Sequence, residues 1–184
     1  MITLEKLEAY LSTGMANRFW YQESQAAASR WCQSNGDRDL TEFLSVVAIL
    51  SPRVQVVRNV SLAKQWTTTR NDDGIMSQRV NALKRYHSAG IVSGPKVIAF
   101  RSSLLLESGA VCIDIHMSRL FGYDKRLMST TKEWTRKREK VQNIVRRLAK
   151  RYGMESFECQ AALWCGYLQI EKNYNPNRFG PMAF

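Results

Sequence analysis

The chain has 184 residues, 45% of them hydrophobic, which is enough for a sizeable core and argues against wholesale disorder. Lys+Arg number 27 against 16 Asp+Glu, a net charge of +11, so the surface attracts polyanions, and nucleic acid leads the candidate partners. Cys32, Cys112, Cys159 and Cys165 include no Cys-x-x-Cys pair and His87 and His116 sit at no ligand spacing, which speaks against a metal centre and for free thiols in a reducing cell interior.

The opening MITLEKLEAYL mixes acids into an amphipathic stripe, Leu4, Leu7 and Leu11, and reads as a helix rather than a signal peptide. The alanine-rich stretch 16–34 favours a second helix. SNGDRD (34–39) breaks it and supplies an N-cap for LTEFLSVVAIL, a segment so apolar that it reads as a central, buried helix. Pro52 ends that helix, because the residue before a proline is pushed out of the helical region. A helix over RVQVVRNVSLAKQW follows, with Val56, Val57, Val60 and Ala63 expected on one face. RNDDG (70–74) is a loop. IMSQRVNALKRYHSAG is a helix ended by Gly90.

IVSGPK (91–96) then forms a hairpin into VIAFRSSLLL, ESGA turns, and VCIDIHMSRLFG passes from a β-branched stretch into a helix with Asp114 near its N-cap. A long helix runs to a stop at Gly153, with Val141, Ile144, Val145 and Leu148 as its buried stripe. The last helix starts at Glu155 or Ser156, and the tail NYNPNRFGPMAF is expected on the surface. The sum is an all-α protein of eight to ten helices, one compact unit over 1–184. No apolar run approaches the roughly 20 residues that span a bilayer.

Two places point to nucleic acid. The helix over 132–151 carries nine basic residues, among them Arg136, Lys137 and Lys140, suited to phosphate contact. The hairpin at 91–97 aims backbone N–H groups from a helix start, a ready anion site. Trp66, Trp134 and Trp164 read as core residues, and His116 as a packing residue.

The order Gly94, Lys96, then Asp114 eighteen positions after Lys96, His116 and Arg119 resembles the helix-hairpin-helix DNA glycosylases of the endonuclease III type. There a hairpin ending in Gly-x-Lys precedes an apolar helix and a V-D-T-H segment with an arginine three positions on. The stretches FLSVVAILSPRVQVVRNVSLAKQW and ECQAALWCGY are similar to the family's flanking helices, so the resemblance covers about residues 40–170. It departs in the hairpin, where a single glycine, Gly94, stands before Pro95, and in the absence of the C-terminal iron–sulfur cysteines.

The resemblance implies a two-lobed fold with an interlobe cleft, one lobe about 40–114 and the other 1–39 plus 115–184. It implies an enzyme that cleaves the N-glycosidic bond of a modified or damaged base flipped from duplex DNA, with Schiff-base AP lyase activity. Lys96 would attack the sugar C1′ and Asp114 would stabilise its positive charge or take a proton. DNA contacts would come from Gly94, Pro95 and Arg119, and from Arg53, placed to probe the gap left by the flipped base. No cofactor is implied; the expected protein is a cytoplasmic, DNA-associated monomer. Two rivals stand beside this reading: a base-hypermodifying enzyme on the same scaffold, of phage type, and a non-catalytic DNA-binding protein that uses the hairpin only for grip.

Overall fold

A computed structural model describes residues 2–52 and 54–174. Among them nine α-helices and two short 3-10 segments account for the regular structure, and there is no strand, as the all-α reading expects. The helices are α1 (Leu4–Gly14), α2 (Trp20–Ser34), α3 (Leu40–Leu50), α4 (Val56–Thr69), α5 (Ser77–Ala89), α6 (Pro95–Leu104), α7 (Ile115–Leu120), α8 (Lys132–Arg151) and α9 (Ser156–Lys172). The 3-10 segments are Met15–Asn17 and Lys125–Met128. Arg53 and the tail from 175 lie outside the described residues.

Side chains with local acceptors set several helix starts. Asp39 caps α3, its carboxylate accepting from the N–H groups of Thr41 and Glu42. Glu155 and Glu158 form a capping box at α9. Gly90 takes a left-handed φ of 67° and ends α5. Gly94 holds φ 94°, a region closed to most L-residues, and Pro95 follows at the first position of α6, where its missing N–H costs no helical hydrogen bond.

Two buried clusters organise these elements. One joins α1 to the C-terminal half: Leu7, Tyr10 and Leu11 pack with Val111, Ile113, Met117, Val141, Val145, Leu148 and much of α9. The other centres on α3, where every residue from Phe43 to Leu50 is buried. It takes in Tyr21, Ala28 and Cys32 of α2, Val60, Ala63 and Trp66 of α4, Leu83 of α5, Val97 and Leu104 of α6, and Phe157 and Ala161 of α9. α2 therefore packs with the α3 cluster, while α1 belongs to the other. Each fully buried Leu, Ile, Val or Phe contributes about 1.5–3 kcal/mol, so α3 anchors its cluster by burial alone.

Two expected faces differ in detail. Val60 and Ala63 of α4 are buried, but Val57 is 72% exposed and Val56 41%, because the first turn of α4 overhangs the core. In α8, Val141, Val145 and Leu148 are buried and Ile144 only partly.

α1 and α9 meet most closely. A Cβ on Gly14 would strike the backbone of Ala162 and Gly166, and one on Gly166 would strike the backbone of Tyr10. Two glycines thus let the helix backbones approach to a distance that no side chain permits.

Candidate functional site

Lys96 occupies the first turn of α6. Its ammonium donates to Ser51 Oγ at 3.0 Å, just past the end of α3, and lies 5.5 Å from the centroid of the Phe100 ring one turn along. The chain then turns through 105–110 and returns as Val111–Ile113, three buried residues without a strand partner. The returning segment is tied to the start of α6: the Cys112 thiol points at the Lys96 carbonyl, Sγ to O 3.7 Å. Gln142 of α8 donates to the Val111 carbonyl at 3.0 Å and holds it from the other side. These ties place Asp114 near the turn that carries Lys96.

Asp114 is the N-cap of α7, its Oδ1 accepting from Met117 N–H at 2.8 Å. Oδ2 accepts from the Trp164 indole N–H at 3.0 Å. Burial pushes the neighbouring Cys112 thiol up to about 12; the Lys96 ammonium pulls it down and the Asp114 carboxylate adds to the rise. The thiol therefore stays protonated at neutral pH beside the Lys96 and Asp114 side chains.

Lys96 and Asp114 line one cavity of about 720 Å³, together with His116 and Arg119. That volume falls in the roughly 300–1,000 Å³ range of small-molecule sites. Trp20, Tyr21, Phe100 and Trp164 give it aromatic walls, and Trp20 and Phe100 stack on each other at 6.4 Å with 30° between their planes. Its lining comes from both buried clusters: Cys165 belongs to one, Tyr21 and Ala161 to the other. The His116 ring meets Trp164 edge-on at 6.0 Å, and its Nδ1 is buried without a hydrogen-bond partner among the described residues.

The remaining expected DNA contacts lie apart. Gly94 lines a smaller hollow of about 220 Å³ with Gln78, Arg79, Arg85 and Ser93. Arg53 lies outside the described residues, although Pro52 and Val54 on either side of it line the large cavity. On α8 the basic residues divide. Arg138 donates to the carbonyls of Leu127 and Ser129, Arg146 donates to that of Gly109, and Arg151 pairs with Glu8. Lys137 pairs with Glu133 and covers the Trp134 ring at 4.0 Å. Lys132, Arg136, Lys140, Arg147 and Lys150 are exposed, carry no ion pair among the described residues, and share the face opposite Val141 and Val145. That stripe is about 27 Å long at 1.5 Å per residue.

Trp164 is not the plain core residue its sequence suggests, since it lines the cavity and bonds Asp114. Ser51, Asn59 and Gln160 also line the cavity without any sequence signal to mark them. The four cysteines are free and buried. Among the described residues no group of His, Cys, Asp and Glu could hold a metal ion, and no helix is long and apolar enough to cross a membrane.

Residues 8–171 match the model of a family described as a family of unknown function (DUF7178). The chain belongs to that family. No curated protein and no solved structure matches it. The match spans α2 to α8 whole and nearly all of α9, so Lys96, Asp114 and the cavity they line lie within the region that defines the family.

Proposed function

We propose that this chain is a base-excising enzyme acting on DNA, of helix-hairpin-helix glycosylase type, with α5 and α6 as the hairpin helices and the large cavity as an interlobe cleft. One observation carries the reading: Lys96 and Asp114, eighteen positions apart in sequence, line the same aromatic-walled cavity.

In this reading a base leaves the duplex stack and enters the cavity. The Lys96 amine, freed of one proton, attacks C1′, and the electrons of the N-glycosidic bond leave with the base, which takes up a proton. The Asp114 carboxylate offsets the positive charge that builds on the sugar and accepts the proton given up by the amine. Each of its oxygens keeps an acceptor position beyond the bonds to Met117 and Trp164. Opening of the sugar ring gives an iminium on Lys96. Loss of a C2′ proton then expels the 3′ phosphate.

The test is a borohydride trap on duplexes carrying an abasic site or a panel of modified bases. A covalent protein–DNA adduct, absent from Lys96→Ala, is expected. Failure to trap any substrate, with duplex binding intact, would sink the lyase reading. A change of base mass on an uncut strand would move the assignment to base modification.

A further inference from the structure

The cavity that holds Lys96 and Asp114 is larger than an ordinary base requires. At the roughly 30 Å³ that one water takes in the liquid, its volume of about 720 Å³ holds about 24 non-hydrogen atoms, against about 10 in a base and about 8 in its deoxyribose. Base and sugar together therefore leave room for a further group of several carbon atoms.

The neutral polar groups of the wall are mostly spent on the protein itself. The Tyr21 hydroxyl donates to Gln160 Oε1 at 2.7 Å. The Ser51 hydroxyl donates to the Ala48 carbonyl at 2.9 Å and accepts from Lys96. Asn59 commits its Nδ2 to the Val47 carbonyl at 3.1 Å, and its Oδ1 is buried out of a ligand's reach. The Trp164 indole N–H donates to Asp114, and the Cys112 thiol points at the Lys96 carbonyl. These bonds leave the Gln160 amide nitrogen uncommitted, on a residue 5% exposed in the middle of α9.

A site that reads the edge of a flipped base by hydrogen bonds needs several free donors and acceptors facing it. This wall presents apolar area instead. Trp20, Phe100 and Trp164 supply aromatic surface, and Val54, Ile115 and Met128 supply aliphatic and thioether surface. Val56 lines the cavity while 41% exposed, so apolar area there stays wet until a ligand covers it.

We infer that the cavity takes a base enlarged by an apolar substituent, an alkyl or aryl group of several carbon atoms, and recognises it by bulk and stacking rather than by its hydrogen-bonding edge. The substituent fills the space that base and sugar leave and covers the apolar wall. The inference rests on the base-excision reading for its biological setting, but filling the cavity needs no bond cleavage.

The experiment titrates the whole chain with free uracil carrying hydrogen, methyl, propyl or benzyl at C5, a ring position that does not bear the sugar, and reads binding by calorimetry. Affinity should rise about fourfold for each added CH₂, with 5-benzyluracil the tightest of the series. Phe100→Ala removes part of the wall and should flatten the rise. Val54→Phe narrows the cavity and should weaken 5-benzyluracil while sparing uracil. A flat series, a series that falls with substituent size, or no binding by any member overturns the inference. So does a rise that is unchanged in both variants, which would put the ligand outside the cavity. Either variant alone locates the ligand, so the failure of one to fold does not shelter the proposal. A borohydride adduct beside a flat series keeps the lyase reading and removes this one. A rising series with no adduct on any duplex does the reverse.

Discussion

The Asp114 carboxylate and the Trp164 indole share a 3.0 Å hydrogen bond that ties the start of α7 to the middle of α9. The other carboxylate oxygen caps α7 through Met117. One side chain thus sets a helix start and a cavity wall together. Asp114→Asn retains a single acceptor for two donors. It should lower stability by about 1–2 kcal/mol in urea unfolding. In the proposed reaction it should also abolish base release while duplex binding stays within a few-fold. Trp164→Phe keeps the cap, should cost about 1 kcal/mol, and should slow base release without preventing adduct formation at a preformed abasic site. Full base release by Asp114→Asn would remove the carboxylate from the chemistry.

The division of charges on α8 makes a prediction about salt. If duplex DNA lies along the stripe, each of Arg136, Lys140 and Arg147 releases a counterion from a phosphate on binding. Replacing any one with Ala should then reduce the slope of log K against log salt by about 0.9. Lys137→Ala should leave the slope unchanged, since that ammonium is already held by Glu133 and Trp134. Equal effects at Lys137 and Arg136 would mean that the helix acts by charge alone and not through the free face.

Burial pushes the thiols of Cys112, Cys159 and Cys165 up to about 12, from an ordinary value of 9.0. Below pH 9 the folded and unfolded chains both hold these protons. Between pH 9 and 12 the unfolded chain releases them and the folded chain does not, so unfolding gains. The buried phenol of Tyr21, also raised, acts in the same direction. The urea midpoint should therefore fall as the pH is raised from 9 towards 12, less steeply in Cys165→Ala. At pH 8 a thiol reagent should leave the native chain unlabelled over minutes and modify all four cysteines in denaturant. Fast labelling of the native chain would contradict the burial.

Gly166 faces Tyr10 backbone across the α1–α9 contact. The obstructing atoms belong to a helix and cannot rotate away, so Gly166→Ala must force α1 off α9. The expected loss is on the order of 3 kcal/mol or more, read from thermal and urea unfolding. A melting temperature within a degree or two of the parent would show that the two helices can part cheaply.

Punctuating residues made most of the helix plan legible. Asp39, Pro52, Gly90 and Gly153 each act on the backbone through a local rule, and each marks an end where the sequence places one. The Lys96–Asp114 pair was legible through its spacing and its resemblance to a known hairpin family. Gln160 and Trp164 were not. In α9 they stand among alanines, cysteines and leucines, and a polar residue that opens on a cavity has the same neighbours as one satisfied inside a core. Val57 misled for the opposite reason: the apolar run of α4 is longer than the face the core covers. Lys137 looked like its neighbours on α8 because sequence shows its charge but not the tether to Glu133.

The glycine contact between α1 and α9 also sets an order of events during synthesis. The buried residues that cluster with Leu7, Tyr10 and Leu11 lie at 111–168, so α1 has nothing to pack on until that later stretch has left the ribosome. The α3 cluster draws most of its members from residues 21–106 and needs only Phe157 and Ala161 from later in the chain. The N-terminal half can therefore gather first, with its amphipathic leading helix waiting in solvent. Loss of α9 would strand that helix and leave the cavity without the wall that carries Gln160 and Trp164. A nascent or truncated chain without α9 would thus have no closed cavity, and any activity housed there would begin only when α9 docks.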